Sequence, residues 1–134
     1  MDRTIMIEHD GRRHTGSPEY LAAAGVPQKE IDAALARLRV QEVKAECKRR
    51  IYNVMSAEAQ MNATAAVGTI AAKSASSRSA EEKDTLAAAQ AALAWVDQMR
   101  AAAASLAADA GADYQMDAAW PAAPREVRDL AARF

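Results

Sequence analysis

The sequence predicts a mainly α fold, a long antiparallel helical hairpin preceded by a short N-terminal β-hairpin and followed by a short C-terminal helix. Three observations carry that expectation. Hydrophobic residues make up 51% of the chain but aromatics only 4%, so alanine, the strongest helix former, supplies much of the apolar content. Two long stretches, one from about Pro27 and one from Ala80, repeat apolar residues at three-and-four spacing. Between them lie Gly68 and the serine-rich run KSASSRS at 73–79, which interrupt any helix. With 134 residues the chain fits one domain spanning 1–134, and neither half alone could bury a core.

Taken in order, TIMIEHDGRRHT places Asp10-Gly11 between two short flanks, a two-residue turn signal because both central positions tolerate positive φ. Pairing across it sets His9 opposite Arg12, Ile7 opposite His14 and Glu8 opposite Arg13. One face of this 1–16 hairpin then carries Ile5, Ile7, His9, Arg12 and His14, and the other Met6, Glu8, Arg13 and Thr15. The isoleucine face is expected to lie on helices, since a lone two-stranded ribbon is marginal in water. In 17–73, Ser17 caps a short helix that Pro18 begins and Gly25 ends. A single long helix then runs from Pro27, its stripe Ile31, Leu35, Leu38 continuing with a phase shift through Val40, Val43, Cys47, Ile51, Val54 and Met61.

Ser79 with Glu82 has the capping-box form and opens the second long helix, 80–110. Leu86, Leu93, Val96, Met99, Ala103 and Leu106 mark its inner side with Trp95 flanking, and Gly111 stops it. The first helix is the longer, so its beginning overhangs the second, and the hairpin and the tail are expected to cover that overhang. The tail, 111–134, holds Tyr114, Trp120 and Phe134 and ends in a short helix from Pro124 that presents Val127, Leu130 and Phe134. It reads as a docking latch, closing onto the chain itself or onto another protein. The alanine-rich core is thin, so partner binding or self-association is expected to add stability.

Charge narrows the function classes. With 17 basic and 18 acidic residues and a net charge of −1, the chain is neither a dedicated DNA coat nor an acidic mimic. Arg37, Arg39, Lys44, Lys48, Arg49 and Arg50, set among Glu42 and Glu46, leave a local excess of four positives, the basis of an alternative reading as a small nucleic-acid-binding regulator. Glu46 stands four residues before Arg50 and no nucleic-acid motif accompanies the run, so a solvated helix face is favoured and nucleic acid disfavoured. His9, Asp10, His14 and Cys47 supply no ligand set of zinc-site spacing. Glu81, Glu82 and Asp84 are explained by the helix dipole. Met55, Met61 and Met99 read as fillers of an alanine-lined core before they read as an adaptable client groove. No nucleophile elbow, phosphate loop or dinucleotide fingerprint occurs, so no catalytic residue, metal or cofactor is expected. The single Cys47 suits a reducing compartment. The sequence shows no signal-peptide or transit pattern and no apolar run of membrane length, and no membrane partner is expected.

The segments AAGVPQKEIDAALA, KRRIYNVMSAEAQMNATAA, ALAWVDQMRAAAASLA and WPAAPREV together resemble a loose group of small tail-associated proteins of phages and prophages, of tail assembly chaperone or tail-fibre accessory type. The similarity covers most of 20–130 and is carried best by RRIY with the downstream Ser56, Glu58, Gln60 and Asn62. The N-terminal TIMIEHDGRRHTGS adds nothing to it. The resemblance implies a non-catalytic protein that binds a tail or fibre protein, acting in the host cytoplasm during assembly or staying in the virion tail. Arg49, Arg50, Ile51, Tyr52, Gln60, Asn62, Trp95, Trp120 and Pro121 match it and become candidate contact positions. Phe134 joins them from the aromatic tail.

Overall fold

A computed structural model describes residues 3–134. Strands β1 (Ile5–His9) and β2 (Arg12–Gly16) form the antiparallel hairpin, in the expected register from Ile5 opposite Gly16 to His9 opposite Arg12. Asp10 and Gly11 both take positive φ, 51° and 72°, as a type I′ turn demands. Helix α1 (Pro18–Ala23) begins with the Ser17 hydroxyl accepting from the Tyr20 amide and ends at Gly25, φ 92°. There the Val26 amide reaches Leu21 O and the Gly25 amide reaches Ala22 O, a Schellman ending that brings Val26 and Leu21 together, both buried.

Helices α2 (Gln28–Val54), α3 (Ala57–Ala71), α4 (Ala80–Ala108) and α5 (Arg125–Arg133) complete the chain. Arg39 on α2 meets Leu106 on α4, and Cys47 meets Met99, so residue numbers rise along one rod as they fall along the other and the pair is antiparallel. The face that α2 buries rotates along its length. Ile31 and Ala34 at its start lie with Ile5, Ile7, Leu21 and Val26, so the β-hairpin and α1 cover the overhang as the sequence suggested. Val43 and Cys47, farther along, lie with Ala92, Trp95, Met99 and Ala103 of α4.

Two expectations need correction here. The first long helix is two helices: it breaks at Met55–Ser56, where Met55 turns extended, the Ser56 hydroxyl accepts from the Ala59 amide at 3.0 Å, and the Gln60 side-chain amide donates to Met55 O at 2.8 Å. Serine offers the backbone a cap in place of helix continuation, while the three-and-four apolar spacing runs through the break and hides it. Met61, placed on the core stripe by that spacing, is 72% exposed. Second, α4 ends at Ala108 and not at Gly111, whose amide instead donates to the Asp109 carboxylate. Its N-terminus follows the expected capping box of Ser79 and Glu82, and Lys73 pairs with Glu82 at 2.7 Å across the turn.

The tail does not cover the overhang. It runs back along the α2/α4 seam, Trp120 and Val127 joining the cluster of Val43, Cys47, Trp95 and Met99, and α5 then places Leu130 against Met55, Ala59 and Ala88 between α3 and α4. The hairpin had already taken the overhang, and the remaining apolar surface lay along the seam.

Candidate protein-binding groove

The α2/α4 seam has two flanks, and the candidate residues divide between them. On the first flank, Arg39, Glu42, Glu46 and Arg50 follow one another at three-and-four spacing and therefore share one face of α2. The tail lies along this polar row. The Arg39 guanidinium donates to Leu106 O at 2.9 Å, Asp109 O at 2.7 Å and Ala112 O at 2.7 Å, gathering the last turn of α4 and the loop that follows it. Arg78 acts likewise after α3, donating to Ile70 O at 3.2 Å and Lys73 O at 3.0 Å. Tyr114 stacks under Arg39 and donates its hydroxyl to Glu42 at 3.1 Å; burial, then this bond, push the hydroxyl above its ordinary pKa.

Farther along, Arg49 holds both oxygens of Glu46 in a fork at 2.6 and 2.9 Å, and Arg50 adds a third bond at 2.8 Å. The hydrogen bond from Arg49 is the main reason the Glu46 carboxyl lies below its ordinary pKa. Arg50 continues to the tail, donating to Gln115 O and to the Asp117 carboxylate, both at 2.9 Å, with its guanidinium over the Trp120 ring. The Trp120 indole N–H donates to Tyr114 O at 2.7 Å, and that of Trp95 to Pro121 O at 3.1 Å. Trp95 and Trp120 are 3% and 7% exposed. Arg50, Trp95, Trp120 and Pro121 thus converge on one intramolecular fastening. The expectation of a solvated basic face is corrected at two positions: Arg39 and Arg50 turn toward the tail because the reversed chain brings carbonyls and an aspartate to them, whereas Arg37, Lys44, Lys48 and Arg49 stay exposed, Arg49 paired with Glu46.

The second flank is open. An apolar groove runs between α2 and α3 on one side and α4 on the other, with a cavity volume of about 780 Å³ in the section lined by Val40, Cys47, Ile51, Tyr52 and Val96. It continues, with a further 330 Å³ or so, past Met55, Ala63, Val67 and Leu93. Tyr52 and Gln60 belong to this flank, with Tyr52 41% exposed and the Lys48 ammonium 5.6 Å from its ring centre. Leu93 is 69% exposed. Its placement on the inner side of α4 is a further correction. The buried row of α4 is Thr85, Ala88, Ala92, Trp95, Met99 and Ala103, whereas Leu86, Leu93 and Val96 lie about a quarter turn away. Small side chains let two helices approach closely, so alanine and not leucine marks the contact. Two apolar rows on one helix were legible in the sequence as a sign of two neighbours. Asn62 is exposed on α3, and Phe134 sits half-buried against Met55, Ala59 and Leu130.

Cys47 forms part of the groove floor, its thiol donating to Met99 O at 3.6 Å, and burial pushes its pKa up. It lies in a different cluster from His9 and His14, whose rings sit 6.4 Å apart on the β-hairpin. His9 Nδ1 instead approaches Glu30 Oε2 at 3.1 Å, a buried oxygen that has no hydrogen-bond partner among the described residues. Among the described residues no three His, Cys, Asp or Glu side chains come together as a metal site, and no helix is long and apolar enough to cross a membrane. No family model matches the chain, and no curated protein matches it at a significant level.

Proposed function

We propose that the protein is a non-catalytic helical adaptor that binds another protein through the open flank of its α2/α4 seam, and that its partner is a phage tail or tail-fibre protein. The observation that carries the binding reading is the pair of exposed apolar side chains on the groove, Tyr52 and Leu93, beside its partly buried lining of Ile51 and Val96. Surface tyrosine and leucine at one groove, on helices held by the fastened tail, suit recognition of another protein. The tail-protein partner is supported by the resemblance of the RRIY segment and its neighbours, whose Ile51, Tyr52 and Gln60 line the groove.

Mass spectrometry of purified virions, with affinity capture from infected cells, tests the reading: a tail or fibre protein is expected in stoichiometric complex, lost when Leu93 and Tyr52 are both replaced by Glu. Capture with neither a tail nor a fibre protein present refutes it. Nucleic-acid binding through 37–50 is weakened by the geometry, since Arg39 and Arg50 are engaged by the tail and Arg49 by Glu46.

A further inference from the structure

The groove changes character along its length, and that change restricts what can fill it. The section around Leu93 and Val67 is lined by no charged residue. The adjoining section carries Lys44, Lys48 and Arg100 among its apolar lining and no carboxylate. None of these three cations is part of an ion pair among the described residues. Like charges gathered at a low-dielectric wall repel one another, and a ligand that brings carboxylates relieves that repulsion while fixing its own orientation. The apolar floor in turn requires apolar side chains from the same ligand. From Leu93 to Ala107 the α4 wall is roughly 21 Å long at 1.5 Å per residue, the length of a four-turn helix.

We propose that the groove receives an amphipathic α-helix of a partner protein, about four turns long, whose apolar stripe rests on Ile51, Leu93 and Val96 and whose flanking carboxylates meet Lys44, Lys48 and Arg100. The inference rests on the protein-binding reading above and names the chemistry of the partner segment. Such helix-in-groove binding needs apolar anchors at i, i+3 or i+4, and i+7, a pattern the spacing of Ala89, Leu93 and Val96 mirrors on the wall. A second copy of this chain fits less well, because groove-to-groove pairing gathers two sets of the same three cations on one apolar seam.

The test is a display selection against the full chain, using a library of 18-residue amphipathic peptides with randomised apolar identities and randomised charge on the flanks. Helical peptides enriched in Asp and Glu are expected, with binding that weakens as salt rises. Replacing both Lys48 and Arg100 by Glu is expected to weaken them more than about tenfold and to favour peptides with Lys in place of Glu. Leu93→Glu is expected to abolish binding at unchanged helicity; the exposed Lys48 and Arg100 pair keeps the test valid if that variant fails to fold. Selection of no peptide, enrichment without acidic bias, or affinity indifferent to the charge reversal overturns the proposal. A dimer in sedimentation equilibrium that Leu93→Glu dissociates overturns it in favour of self-association. Peptide binding that persists while virions and lysates yield no tail complex refutes the tail reading alone, and a tail complex that Leu93→Glu abolishes but the charge reversal leaves intact refutes the helix proposal alone.

Discussion

On one flank of the α2/α4 seam, Arg39, Glu42, Glu46 and Arg50 receive the 109–120 segment and its tryptophan; on the other, Val40, Lys44, Ile51, Leu93 and Val96 face open space. Both flanks are basic and both are apolar underneath. What separates them is the carboxylates. Glu42 and Glu46 sit among the arginines of the closed flank and fix them in geometries that the tail's carbonyls and Asp117 complete, so the charges are consumed within the molecule. Among the described residues, the open flank has cations without counterions and leucine without cover. A charge run therefore says little about its duty until its interleaved acids are placed on the helix.

The comparison makes its strongest prediction at Trp120. Trp120→Ala is expected to cost about 3–5 kcal/mol in urea unfolding, because it empties a core position and frees the tail. Leu93→Ala on the opposite flank is expected to stay within about 0.5 kcal/mol of wild type. Equal losses at the two sites would erase the distinction between a filled and an open flank.

Arg39 gives the next effect. Arg39→Met removes the charged donor shared by the carbonyls of Leu106, Asp109 and Ala112, at a cost of about 1–3 kcal/mol, and Arg39→Lys recovers only part of it because an ammonium cannot reproduce the planar fork. Hydrogen exchange at the end of α4 is the sharper readout and is expected to rise there before elsewhere. Ser56→Ala is expected to cost about 1 kcal/mol by removing the cap on α3, a change on neither flank that sets the scale for both.

The smallest effect is in pH. The Glu46 carboxyl lies below its ordinary value of 4.5 in the folded protein, so its contribution is fully present above that value and is lost as pH falls through the lower, folded value. Glu46→Gln is therefore expected to flatten the stability profile on the acid side of pH 4.5 and leave its slope near neutrality unchanged. A profile identical to wild type below that pH would show that the closed flank does not depend on this pairing.

Local signals were the legible part of this molecule. Asp10-Gly11 set the hairpin register, Gly25 ended α1, and Ser79 with Glu82 opened α4, each within four residues of the backbone groups it serves. The break at Ser56 was less visible, since one hydroxyl competed against a long apolar periodicity, although serine before Ala-Glu-Ala-Gln was a cap signal in its own right. The fastening of Arg39 and Arg50 joins residues more than 60 apart in sequence, and spacing along one helix carries no record of the carbonyls brought by another. Leu93 misled for a chemical reason: size was taken as the mark of contact, where alanine sets the distance between these rods.

Arg39 also determines how the C-terminal segment can come loose. Its acceptors are peptide oxygens that do not ionise. The strap is riveted where it leaves α4, and at its far end Val127 and Leu130 bury α5 in the core. Loosening the exposed Asp117 between these two points therefore leaves the segment tethered on both sides, placed to close again over the same seam.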